Sequence, residues 1–203
     1  MTSPLINYQA LLSITQICDD YSAYLQIYFS QEFINKMFLF LNSNHKENNN
    51  SNSNNVGNNI NYNKENYKYL QIQSAKCLTN FLNIDQEIEE LEEHYVQIMK
   101  IALDLIVNNE FIQVREYCIK MIAPIVQCLK TDFLQFYNDI VPFLKDILFD
   151  NKLDDYPQLQ GNAFETLSVI GIAVGSESFE KDGLECMEWS LNKLQNGLQY
   201  ENP

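Results

Sequence analysis

Along most of the chain, apolar residues return every three or four positions. Val114, Cys118, Met121, Ile122, Ile125 and Leu129 form one such series. Phe133, Phe136, Ile140, Leu144, Ile147 and Leu148 form a second. Leu159, Ala163, Leu167, Ile170 and Val174 make a third, and Leu184, Met187, Leu191, Leu194 and Leu198 a fourth. This spacing lays one apolar stripe along an α-helix and does not fit a strand. It predicts eight helices, near 5–18, 23–41, 67–82, 88–107, 111–129, 132–149, 157–174 and 183–197.

The punctuation between stripes adds detail. Asp182 and Glu185 have the spacing of a capping box at a helix start. Thr131 or Asp132 is placed to cap the helix that begins near Phe133. Gly175 and Gly197 stand where a helix end favours positive φ. Pro124 interrupts a stripe that continues beyond it, so it should bend that helix and not end it.

The helices pair into antiparallel hairpins. Second helices of the pairs begin near 67, 111 and 157, a period of about 45 residues. Residues 42–66 stand outside the pattern: asparagine fills 13 of the 25 positions. So little apolar surface cannot offset the entropy of ordering, and the segment reads as a disordered insertion in a surface loop. With it removed, the first step, from the helix near 5, shrinks to about 40 residues. Two helices per unit at this period are the mark of HEAT or armadillo repeats. The fold class expected is therefore an all-α, right-handed superhelical HEAT-repeat solenoid. Residues 1–203 make one segment of about four repeats. The chain opens on a second helix and closes on a first, without polar caps, which points to a piece of a longer solenoid.

Composition narrows the chemistry. The net charge is −14, the pI about 4.4, and Arg115 is the only arginine. Such a surface repels nucleic-acid phosphates and anionic lipid and attracts basic partners. No apolar run reaches the length of a membrane span, and the N-terminus lacks the basic start of a signal peptide. The five cysteines include no C-x-x-C pair, so they read as reduced, mostly buried thiols of a cytosolic or nuclear protein.

The two histidines are His45 and His94. His45 lies in the asparagine-rich segment, and His94, behind Glu92 and Glu93, reads as solvated. Neither supplies a catalytic triad or a zinc site. Phosphate-binding glycine motifs are missing too. No enzyme, cofactor or metal is expected.

Several stretches resemble a known family. They are AKCLTNFLNI (75–84), VREYCIKMIAPIV (114–126), FLQFYNDIVPFLKDIL (133–148) with Tyr137 and Pro142, and NAFETLSVIGIAVGSESFEKD (162–182). ALLSITQICDDY (10–21) fits a preceding repeat. In order and spacing they resemble the central HEAT repeats of importin-beta-type karyopherins, in the importin-five (karyopherin beta-three) branch. The resemblance implies a nuclear transport receptor, working between cytoplasm and nucleus. It would carry basic protein cargo, meet nucleoporin Phe-Gly repeats, and release cargo to Ran-GTP. A recognisable copy of the family's N-terminal Ran-binding repeats is not in this sequence. A HEAT scaffold that organises a multiprotein complex is the alternative reading of the same helical period.

In that family the second helices line the concave surface. Their polar positions off the apolar stripe are the candidate cargo contacts: Gln73, Asn80, Glu116, Lys120, Asn162 and Glu165. The run Asp85, Glu87, Glu89, Glu90, Glu92 and Glu93 could attract a basic peptide, but it reads better as a solvated helix start favoured by the helix dipole. Arg115 is expected to pair with a neighbouring repeat, and Trp189 to pack in the core or between repeats.

Overall fold

The computed structural model describes residues 4–41, 64–82 and 89–200. Their order is α1 (Pro4–Leu41), α2 (Lys64–Leu82), α3 (Glu89–Asn108), α4 (Ile112–Leu129), α5 (Leu134–Phe149), α6 (Pro157–Val174) and α7 (Ser176–Tyr200). Short 3₁₀ turns, Lys130–Phe133 and Asn151–Leu153, flank α5. No strand occurs among the described residues. The second helices α2, α4 and α6 thus start 48 and 45 residues apart, close to the predicted period. The chain falls into two compact units, Met1–Tyr117 and Cys118–Pro203. Most of the asparagine-rich segment lies outside the described residues, and its last three positions are the first turn of α2.

The first unit shows how one hairpin meets the next. The two helices expected before residue 42 form one element, α1, broken only at Tyr21 (φ −138°, ψ 28°). The stretch DDYSA around it contains neither proline nor glycine, so the chain turns without a loop. The arm after Tyr21 runs antiparallel to α2. Phe33 stacks on Phe81 with ring centroids 4.4 Å apart, and Leu41, eight residues on, receives a 2.7 Å hydrogen bond from Gln71 Nε2. The arm before Tyr21 runs parallel to α2. Thr15 meets Gln73, Cys18 meets Cys77, and Asp19 meets Asn80, in rising order on both helices. An antiparallel partner on one side and a parallel neighbour on the other is how a hairpin repeat stacks, since neither helix buries its stripe alone.

The second unit packs α6 between two antiparallel neighbours, α5 and α7. Gln160 Nε2, near the start of α6, donates to the carbonyls of Leu148 and Asp150 at the end of α5. Helix α7 returns antiparallel to α6: Phe179 lies on Gly171, and Trp189 on Phe164 with centroids 6.3 Å apart. That is the packing expected of Trp189. Gly175 ends α6 at φ +83°, as expected of a glycine there, and its N–H reaches the Gly171 carbonyl at 3.1 Å.

Both helical prolines are accommodated. Pro124 and Pro142 leave the carbonyls of Lys120 and Asn138 without a helical donor, and both of those residues are exposed, where water can serve.

Four local expectations are corrected. Thr131 and Asp132 cap nothing: they lie in the 3₁₀ turn, and α5 starts without a side-chain cap. Burial of Phe133 draws that turn tight, with Lys130 in the left-handed region at φ 50°. Asp182 and Glu185 are not at a helix start, because α7 begins at Ser176, directly after Gly175. Phe179, seated against Gly171 and Gly183, holds that early start in place. Gly197 lies inside α7 and does not end it. Lastly, the stripe Leu184, Met187, Leu191 and Leu194 is not buried: those residues are 50–64% exposed. The packed side of α7 carries Phe179, Gly183, Cys186 and Trp189 instead.

The contact of Phe179 with Gly171 yields a test. A Cβ at position 171 would lie 2.4 Å from Phe179 Cδ1. Gly171→Ala should therefore destabilise the protein by about 1–3 kcal/mol, the usual cost of overpacking. The Gly171→Ala, Phe179→Leu double variant should recover part of that loss, read as the urea midpoint. An unchanged midpoint in Gly171→Ala would show that the ring does not seat there.

Candidate functional site

Helical register puts α2, α4 and α6 on a common scale. Leu70, Val114 and Leu159 are equivalent and buried. The next position is Gln71, Arg115 and Gln160. Gln71 and Gln160 do the same work, each closing the C-terminal carbonyls of the helix before it. Asn109 Nδ2 adds a 3.1 Å bond to Gln71 Oε1. Arg115 takes this position in α4. It is half-buried, and its buried Nε makes no hydrogen bond, so the pairing expected of it is not seen at that atom.

On the same scale Gln73 and Asn162 are equivalent, and they are only 7% and 6% exposed. Gln73 Nε2 donates to Thr15 Oγ1 at 2.6 Å. These two candidates are therefore turned into the packing between helices. Asn80 is half-buried, and its Nδ2 donates to Asp19 Oδ1 at 2.5 Å. Glu116 is half-buried, while Lys120 and Glu165 are exposed. Lys76, Lys120 and Glu165 share one register position, at which Lys76 is half-buried and the other two are exposed. Of the acidic run, Asp85 and Glu87 lie outside the described residues, as do the side chains of Glu89, Glu90, Glu92 and Glu93.

His94 corrects its expectation. It is 8% exposed, because it stands one turn before Ile98 on the stripe that continues through Ala102 and Leu105. Among the described residues, no group of three His, Cys, Asp or Glu side chains could hold a metal ion. No helix there is long and apolar enough to cross a membrane.

A cluster of titratable groups lies between α5 and α7. Tyr137 Oη donates to Asp182 Oδ2 at 2.6 Å, and Lys145 Nζ to Asp182 Oδ1 at 2.5 Å. Lys145 also pairs with Glu185. Burial opposes the charge of Asp182, but hydrogen bonds from Lys145 and Tyr137 outweigh it and hold the carboxyl below its ordinary range. Burial likewise opposes the charge of Lys145, and bonds to Asp182 and Glu185 outweigh it, raising the ammonium pKa. Burial, then the bond to Asp182, pushes the Tyr137 phenol up. Every charge here is answered within the group, so it acts as a lock between two helices and offers no free acid or base. Sequence reading singled out Tyr137 in one stretch and the pair Asp182 and Glu185 in another, and only packing joined them.

No family model matches the chain. The probable importin-5 homolog of Dictyostelium discoideum is 26% identical over 129 residues, 62% of this chain and 12% of that protein. Importin subunit beta-3 of Saccharomyces cerevisiae is 28% identical over 127 residues, 63% of this chain and 11% of that protein. The crystal structure of Kap121p bound to Nup53p superposes on 96% of the chain with a TM-score of 0.69, at 23% identity and over 16% of its own length. This chain resembles the importin-five branch of the importin-beta-type karyopherins. Kap121p bound to the extreme C-terminus of the protein phosphatase Cdc14p gives the same match, with a TM-score of 0.70. The fold is thus the all-α HEAT-repeat fold. The chain spans only about an eighth of the karyopherins it matches in sequence.

The lock between α5 and α7 has a defined pH signature. A depressed carboxyl pKa stabilises the fold above the ordinary value, about 3.9, and that contribution is lost as pH falls through the folded value. A raised lysine pKa contributes below about 10.4, and its share is lost as pH rises through the folded value. Asp182→Asn should cost about 1–2 kcal/mol at neutral pH. Urea unfolding at pH 7 and pH 3 should show the gap between parent and variant closing at the acid end. A gap that persisted undiminished at pH 3 would exclude the charged lock.

Proposed function

We propose that the chain is a cargo-binding segment of an importin-five-type nuclear transport receptor, working between cytoplasm and nucleus. The observation that supports it most is its double likeness to one group of proteins: 26–28% sequence identity to import receptors, and a TM-score of 0.70 over 96% of the chain. Solved structures of that group hold protein partners, among them Nup53p, Pho4p, Ste12p and Ulp1p. The curated relatives are named for import, not for a reaction.

The partner class follows from charge. A net charge of −14 raises the local concentration of a basic segment and repels a phosphate backbone. Of the six candidate contacts, Asn80, Glu116, Lys120 and Glu165 keep exposed or half-exposed side chains. Glu116 and Glu165 are the two that would meet a lysine. Nucleoporin Phe-Gly repeats and Ran-GTP belong to the same proposal, as partners of the whole receptor.

Fluorescence anisotropy of a labelled lysine-rich localisation peptide, titrated with the chain, tests this. Affinity should fall steeply between low and physiological salt, since exposed charge pairs are screened. The double reversal Glu116→Lys, Glu165→Lys should weaken binding at low salt by about tenfold. Binding indifferent to salt, or no binding at either salt, would remove basic cargo from the proposal.

A further inference from the structure

Cys18 and Cys77 stand with their sulfur atoms 3.9 Å apart, 59 positions apart in sequence. They are 1% and 0% exposed, on parallel neighbours: the first arm of α1 and α2. Two side-chain ties flank them. Gln73 Nε2 holds Thr15 Oγ1 at 2.6 Å on one side, and Asn80 Nδ2 holds Asp19 Oδ1 at 2.5 Å on the other. The sulfurs therefore face each other in a register that the surrounding contacts fix. A disulfide needs them about 2 Å apart, so closing the pair takes side-chain rotation together with whatever backbone shift brings the two Cα atoms within about 7 Å.

We propose that Cys18 and Cys77 form a redox latch, which a hydroperoxide closes into a disulfide between α1 and α2. Only a small oxidant suits so buried a pair, and hydrogen peroxide is little larger than water. The Cys77 thiolate attacks one peroxide oxygen and becomes a sulfenic acid, and the O–O bond breaks to release hydroxide, which takes up a proton to become water. Cys18 then attacks the Cys77 sulfur. It gives up its proton, the S–O bond breaks, and a second water leaves. In sum, two thiols and one peroxide give one disulfide and two waters. Cys77 is the better first nucleophile: the hydrogen bond within the pair holds its pKa down and, with burial, raises that of Cys18.

The geometry separates this pair from the other cysteines. Cys118 is buried, and burial pushes its thiol up, which leaves it inert. Cys128 is half-buried and serves as an internal exposure control. Closure would join two adjacent helices of successive hairpins beside Asn80, and so remove any sliding of one past the other.

The test uses the reduced full chain, treated with hydrogen peroxide in native buffer, quenched with catalase, then denatured and alkylated. Expected is a species lighter by two hydrogens, with two fewer alkylated thiols and a linked peptide pair containing Cys18 and Cys77. Its melting temperature should rise, and dithiothreitol should restore the starting material. In Cys18→Ser, the sulfenic acid on Cys77 has no partner, so dimedone present as the chain is denatured should label Cys77 there and not in the parent. Three outcomes would overturn the latch. The first is full alkylation of both residues at a dose that consumes Cys128. The second is sulfinic acid at Cys77 without a cross-link. The third is a cross-link formed only in urea. Because the parent chain alone supplies all three, a variant that failed to fold would leave the test intact.

Discussion

In two of the three second helices, α2 and α6, a buried leucine is followed at once by a glutamine whose amide closes the preceding helix. Leu70 with Gln71 and Leu159 with Gln160 do this in the two units alike. The constraint behind it is the backbone. The last carbonyls of a helix have no helical donor, and burying them unpaired costs about 1–3 kcal/mol each. Packing one helix of a hairpin on the other covers some of them, and the second helix carries the donor. Everything else is phased from that point: which residues face the partner helix, which face the next hairpin, and which remain outside.

That phasing sorts the polar residues of the second helices into two groups. Gln73, Thr15, Asn80 and Asp19 bond across from one helix to the next, as Tyr137, Lys145 and Asp182 do between α5 and α7. These contacts hold register where apolar stripes alone could slide, since leucine and isoleucine pack almost equally well one turn along. The outward positions are left with Lys120 and Glu165.

The redox pair fits the same architecture. Parallel second helices of adjacent hairpins have few covalent or loop connections to restrain them, so their relative position rests on side chains alone. Two facing thiols at that contact are a place where chemistry can set stiffness directly.

The sequence by itself determined the helices, their pairing and the fold class, because these follow from a periodicity summed over many residues; the resemblance to a family was carried separately, by particular stretches in order. Single errors average out: the stripe through Pro124 carried α4 past a proline. The burial of Val114, Cys118, Met121, Ile122 and Ile125 was legible in the same way. What only the tertiary structure decided depends on one neighbour each. Asp182 has the spacing of a cap and serves as a lock, because α7 starts early against Gly171. His94 reads as solvated beside two glutamates, yet lies on a buried stripe, since helical phase and not sequence adjacency sets its surroundings. Gln73 and Asn162 look like outward polar positions and are buried. Leu184, Met187, Leu191 and Leu194 form a faultless apolar stripe and stay exposed. A period reports that a helix has a face; which surface meets that face is a matter of distances between residues far apart in the chain, and no local pattern carries them.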